Sequence, residues 1–225
     1  MSDLWTLEEV DKDGAIQEMA EKVDPFTRAS FLKKAGLGAG AVVGGGALMG
    51  AIPSMALASG KVAASDVAIL NFALTLEYLE SAFYTEAVAK GSFNGDTNTF
   101  ARVVSAHELA HVKFLEGALG KAAVKKPTFD FKGTTTDQTQ FEATATVLED
   151  TGVQAYLGQV GNIKSKAILK AAGSILPVEA RHAAWIREIR LAKTQGTIPA
   201  PSPFEGSKTK AQILAAVKGT GFITG

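Results

Sequence analysis

The sequence predicts an all-α protein built around a four-helix bundle, in which two repeated helical hairpins are joined by a long crossover connection. Three observations carry that prediction. Apolar residues between positions 64 and 194 recur at helical rather than alternating spacing. Clusters of Gly, Pro, Asn and Asp divide the stretch into four segments. An arrangement of acids in the first two segments returns in the last two, 71 or 72 residues later.

The chain begins with a segment of different character. Residues 1–24 hold eight acids against Lys12 and Lys22, and the composition then turns over to Thr27-Arg28-Ala29-Ser30-Phe31-Leu32-Lys33-Lys34. Ala35 to Leu57 are 23 uncharged residues, and Ala56-Leu57-Ala58 forms a small-residue site. Basic, apolar and small in that order is the order of an export signal, so residues 1–58 are expected to send the chain to the periplasm or the cell exterior. The mature protein would begin near Ser59. The residues around Arg28 resemble a twin-arginine signal, with Ala29 where the second Arg belongs. The alternative is an uncleaved membrane anchor through residues 35–57, long enough to span a bilayer about 30 Å thick. All four Met lie within residues 1–58 and the chain has no Cys, so the remaining domain carries no sulfur. That suits a protein that meets oxidants.

The bundle domain, residues 59–194, reads as four helices at about 64–90, 97–122, 137–160 and 164–194. Their apolar faces are marked by Leu70, Leu74 and Tyr84, by Val104 and Leu115, by Ala145 and Tyr156, and by Ile175, Ile186 and Ile189. Pro177 is expected to kink the fourth helix or to sit at a local bulge. Residues 123–136 span roughly 45 Å at about 3.3 Å per residue, longer than a 25-residue helix of about 37 Å. They can therefore serve as the crossover. Residues 195–225 read as a Pro-rich loop followed by one short amphipathic helix, Lys208 to Lys218, docked on the bundle.

Equal numbers of basic and acidic residues, 23 each, leave no electrostatic footprint for nucleic acid. The lack of cysteine excludes disulfides and thiolate-held zinc or iron–sulfur clusters. So neutral a surface points to no partner, and a homo-oligomer is carried only as an open expectation.

The informative residues are acids placed where core belongs. Glu77 lies on the apolar face of the first helix, Glu108 and His111 on that of the second, Glu149 on the third, and Glu179 and His182 on the fourth. Glu77 and Glu149 are 72 apart and each has a Tyr seven residues on, Tyr84 and Tyr156. Glu108-x-x-His111 and Glu179-x-x-His182 are 71 apart. Residues equidistant from the turn of an antiparallel hairpin face each other, and this brings all six to mid-bundle if the two hairpins pack with pseudo-twofold symmetry. A Glu and a His at i and i+3 share a helix face and can reach one ion. Four carboxylates and two imidazoles form the ligand set of a dinuclear carboxylate centre, and hard oxygen with imidazole donors and no sulfur suits two Fe or Mn ions. A metal-free polar core is the competing account, but taking ions out of water costs several kcal/mol each unless they are paired. Tyr84 and Tyr156 are expected to place their hydroxyls beside the ligating groups. His107 reads as a neighbour of the centre or a surface residue, with ligation the lesser alternative. Glu80 has Gly152 as its counterpart in the second half and is not expected to ligate. Glu142 is expected toward the bundle end.

The stretches Asn71–Tyr84, Ala106–Leu115, Val147–Gly158 and Val178–Arg187 resemble the ferritin-like domain family that includes exported bacterial proteins and plant desiccation-related proteins. The resemblance covers about residues 64–194. It implies a ferritin-like four-helix bundle with a dinuclear site, and it carries over Glu77, Glu108, His111, Glu149, Glu179 and His182. It does not single out one reaction. The resulting expectation is an exported dinuclear Fe or Mn oxidoreductase acting on O2 or peroxide, of ferroxidase, peroxidase or manganese-catalase type. The alternatives are a non-catalytic stress or desiccation protein stapled by its metals, and an iron-storage shell.

Overall fold

The structure, a computed structural model, describes residues 62–194 and 198–225. The expected export segment, residues 1–58, lies outside the described residues. Among the described residues five α-helices follow in order: α1 Ala64–Lys90, α2 Gly95–Leu119, α3 Gln138–Val160, α4 Lys166–Thr194 and α5 Lys210–Thr220. Among the described residues there is no strand beyond an isolated antiparallel bridge between Phe129 and Ile223, and no helix is long and apolar enough to cross a membrane. The fold is the all-helical bundle that the periodicity predicts.

Helix ends follow local chemistry. Gly91 closes α1, where an added Cβ would lie 2.6 Å from the Ala87 carbonyl oxygen. The second helix ends before the expected position, at Leu119, and a 3₁₀ turn over Gly120–Ala122 completes it. Asp137 caps α3, accepting from the Gln140 N–H at 2.8 Å. The fourth helix begins two residues later than expected because the Lys164 and Ser165 N–H groups are taken by buried Asp66 of α1, at 3.0 and 2.8 Å. For α5 the start is set by a capping box: the Thr209 hydroxyl accepts from the Gln212 N–H at 3.3 Å, and the Gln212 side chain accepts from the Thr209 N–H at 2.9 Å. Helix α4 continues through Pro177.

Helix α1 packs chiefly on α2, and α3 on α4. The two hairpins meet through α1 with α3 and α2 with α4, and α5 lies on α3. Gly158 admits the approach to α5, since a Cβ there would come within 2.0 Å of the Lys208 carbonyl oxygen. The crossover is fastened at its start and in its middle. Asn71 holds its start, donating to Ala122 O at 2.9 Å and accepting from Val124 N at 2.8 Å. The chain terminus holds its middle, through Thr128 N to Gly225 O and Asp130 N to Phe222 O, both 2.9 Å.

Two apolar clusters fill the bundle. At one end Phe83 stacks on Phe141 at 5.3 Å between ring centroids, and Phe141 stacks on Phe93 at 4.5 Å. Tyr84, Phe100 and Trp185 extend this cluster edge to face. At the other end Leu70, Leu74, Leu115, Ile168 and Ile175 form an aliphatic layer. Asp66 joins the hairpins at the aliphatic end. Asp66→Ala removes the acceptor of two backbone N–H groups and is expected to cost about 2 kcal/mol in urea unfolding.

Candidate metal centre

Midway between the two clusters the core turns polar. Glu77 and Glu80 of α1, Glu108 of α2, Glu149 of α3, and Glu179 and His182 of α4 are all buried, and His111 of α2 keeps 12% of its side chain exposed. In each helix the apolar residues on either side of the acid are what carry it inward. Removing so many ionisable groups from water is expensive unless charges oppose one another.

The side chains form two groups. In the first, His111 Nδ1 lies 3.3 Å from Glu77 Oε2, 3.2 Å from Glu108 Oε2 and 3.0 Å from Glu179 Oε1. In the second, His182 Nδ1 lies 3.2 Å from Glu108 Oε1, 3.2 Å from Glu149 Oε2 and 3.6 Å from Glu179 Oε2. Each group gathers four ligand atoms within 4.8 Å of one another, and Glu108 and Glu179 belong to both. The structure thus brings together the six residues that the spacing singles out.

The tyrosines cross between hairpins. Tyr156 of α3 donates to Glu77 Oε1 at 2.5 Å, and Tyr84 of α1 donates to Glu149 Oε1. Each hydroxyl engages one carboxylate oxygen and leaves the other facing the centre. Glu142 sits at the aromatic end instead, where Thr97 at 2.5 Å, Gln138 at 3.1 Å and Lys193 donate to it. His107 lies beside the centre, its Nδ1 2.8 Å from His182 Nε2.

Burial raises the carboxyl groups of Glu77 and Glu80 well above the usual range, and neighbouring carboxylates add to the effect. It pushes Glu149 up to about 8 against the pull of His182. Burial opposes ionisation of Glu108 as well, yet His111 and His182 overcome it and hold that carboxyl below the usual range. The imidazoles respond in kind: burial disfavours their charged forms, but Glu77 and Glu108 hold His111 well above its ordinary value, and Glu149 with its neighbours brings His182 up to about 12. Burial also raises both tyrosines, and their carboxylate partners raise them further.

The donor set fits a pair of cations. Glu77 Oε2, Glu108 Oε1, Glu149 Oε2, both oxygens of Glu179 and His182 Nδ1 are buried without a hydrogen-bond partner. Orphaned polar atoms of this kind are rare in native cores and call for a specific account. Here all of them converge on the same two points, from carboxylates and imidazoles and without sulfur, which matches the preferences of Fe and Mn.

Glu80 lies one turn after Glu77 on the same helix face and is only 3% exposed, but it belongs to neither four-residue group, as the repeat leads one to expect. Its counterpart Gly152 leaves space for its side chain, because a Cβ on Gly152 would stand 3.2 Å from Glu80 Oε1.

Residues 65–192, more than half of the chain, match the family model described as a ferritin-like domain. No curated protein matches the chain.

Proposed function

Because the chain belongs to the ferritin-like domain family, we propose that it is an exported dinuclear iron or manganese oxidoreductase acting on O2 or peroxide. One observation carries the reading: two buried four-residue groups share Glu108 and Glu179, the arrangement that holds two cations side by side rather than one alone. The absence of sulfur after residue 58 and the signal-like composition before it support the exported, oxidant-facing setting.

Each residue has a distinct part. Glu108 and Glu179 would hold both cations, His111 and His182 would take one each, and Glu77 and Glu149 would complete the two ends. A bound Fe or Mn pair supplies paired one-electron changes toward an oxygen–oxygen bond. Tyr156 and Tyr84 orient Glu77 and Glu149 by hydrogen bonds to the Oε1 atoms, so that the Oε2 atoms point inward. The aromatic and aliphatic clusters keep bulk water away from both ends. A cavity of about 20 Å³, lined by Leu70, Ala73, Leu115, Ile168 and Ala172, borders Tyr156. It has room for a molecule of water or dioxygen size and offers little polar surface, which supports a small apolar reactant.

The test is His182→Ala. Peroxide and Fe(II) consumption should disappear while the far-UV helical signal stays. Turnover that survives the substitution would remove the assignment. A protein whose melting temperature falls on metal removal, but which consumes neither peroxide nor Fe(II), would be the metal-stapled stress protein instead.

A further inference from the structure

The two halves of the centre match residue for residue: Glu77 with Glu149, Tyr84 with Tyr156, Glu108 with Glu179 and His111 with His182. The match breaks at a position that touches a ligand. His107 of α2, whose counterpart in the repeat is Val178, places its Nδ1 2.8 Å from His182 Nε2. The two rings are tilted by only 20° and their centroids lie 5.1 Å apart.

This contact decides which nitrogen of His182 carries the proton. Nδ1 faces the carboxylates, 3.2 Å from Glu108 Oε1 and 3.2 Å from Glu149 Oε2, so Nδ1 is the atom that would ligate and its lone pair must be free. The ring proton then sits on Nε2, which makes His182 Nε2 the donor and His107 Nδ1 the acceptor. A histidine whose outer N–H is engaged is held in one tautomer and in one ring plane, the usual support of a metal-binding imidazole.

Burial accounts for the need. The His182 side chain is 3% exposed, and a ring N–H left there without an acceptor would be costly. His111 keeps 12% of its side chain exposed, so its ring borders solvent, and the repeat has only Val178 at the position matching His107. Charge accounts for the choice of acceptor. Glu77, Glu80, Glu108, Glu149 and Glu179 are already buried together, and one more carboxylate would add charge that is expensive to bury. An imidazole accepts the hydrogen bond without adding any.

We propose that His107 is a positioning residue for His182, fixing the Nε2–H tautomer and the ring orientation that present Nδ1 to a cation. The inference rests on the dinuclear reading above and makes no ligand of His107.

Two substitutions separate an acceptor from a filler of space. His107→Phe keeps a flat ring against His182 and removes the acceptor, whereas His107→Asn gives up the ring and keeps an oxygen close to the place of Nδ1. Mn(II) titration of the metal-free protein, followed by the electron paramagnetic resonance of free Mn(II), should show His107→Phe weakening the binding of one of two ions by about tenfold or more. His107→Asn should recover most of that loss. The Co(II)-loaded protein gives a second readout, because the ring N–H protons of Co(II)-bound histidines appear as shifted, exchangeable proton resonances. The resonance that His182→Ala removes should be lost to solvent exchange in His107→Phe and retained in His107→Asn, while the resonance that His111→Ala removes should persist in both. His107→Phe matching the wild type in either measurement would overturn the proposal, and so would His107→Asn binding no better than His107→Phe. Both results leave the dinuclear reading standing. A wild type that binds no Mn(II), Fe(II) or Co(II) would remove both.

Discussion

Glu108→Ala is expected to strip both cations from the protein, taking elemental analysis from about two Fe or Mn per chain to none. The expectation follows from geometry, because Glu108 offers Oε2 to the His111 group at 3.2 Å and Oε1 to the His182 group at 3.2 Å. Removing it opens both sites at once. Glu77→Ala touches the first group alone and should leave one ion behind. Helical content should hold in both variants, since four acids remain to oppose two imidazoles and the apolar clusters lie on either side of the centre. Two ions retained by Glu108→Ala would mean that the carboxylates do not bridge.

The second large effect is on the metal-free protein as pH rises. Glu149 keeps its proton up to about pH 8 in the folded chain and His182 up to about 12, whereas the unfolded chain releases these protons near their ordinary values of about 4.3 and 6.5. Both folded values are raised, so the folded state holds more protons and its stability falls as pH climbs through the interval. Glu108 is held low and contributes the opposite slope only in acid, so pH 5–9 isolates the first effect. Each extra proton held corresponds to up to about 1.4 kcal/mol per pH unit, a large loss against the 5–15 kcal/mol of a typical domain. Thermal melts of chelated protein should drop by more than about 10 °C between pH 5 and pH 9. Bound cations take the place of those protons, so the gap between loaded and metal-free melting curves should widen over the same range. Parallel curves would show that no protons are displaced.

Much of this was legible in the sequence, for definite reasons. Helical periodicity survives wherever a helix has one wet face, and it locates α1 to α4 within a few residues. The convergence of the acids and imidazoles was legible because Glu77 with Glu149, and Glu108-x-x-His111 with Glu179-x-x-His182, repeat at a nearly fixed interval. What escaped depends on groups that carry no periodic signal. Asp66 looks like an ordinary first-turn acid, and its real partners are backbone N–H groups 98 and 99 residues away. The aromatic end draws Phe93 and Phe131 from loops, where spacing says nothing of burial. Backbone bonds tie the crossover to residues 222–225, and such bonds are blind to side-chain pattern. The burial of Glu80 beside Gly152 escaped because a repeat reports what two halves share and is silent on the space that a glycine leaves open.

The crossed tyrosines have a genetic meaning as well as a structural one. Tyr84 is encoded with the first hairpin but secures an acid of the second, and Tyr156 does the reverse. Neither hairpin could have carried a finished centre alone, whereas two identical hairpins meeting as separate chains would form both bonds from a single tyrosine codon. Duplication and fusion of one such hairpin would leave the two copies free to diverge, yet the loss of either tyrosine would still remove the hydrogen bond to an acid of the other copy.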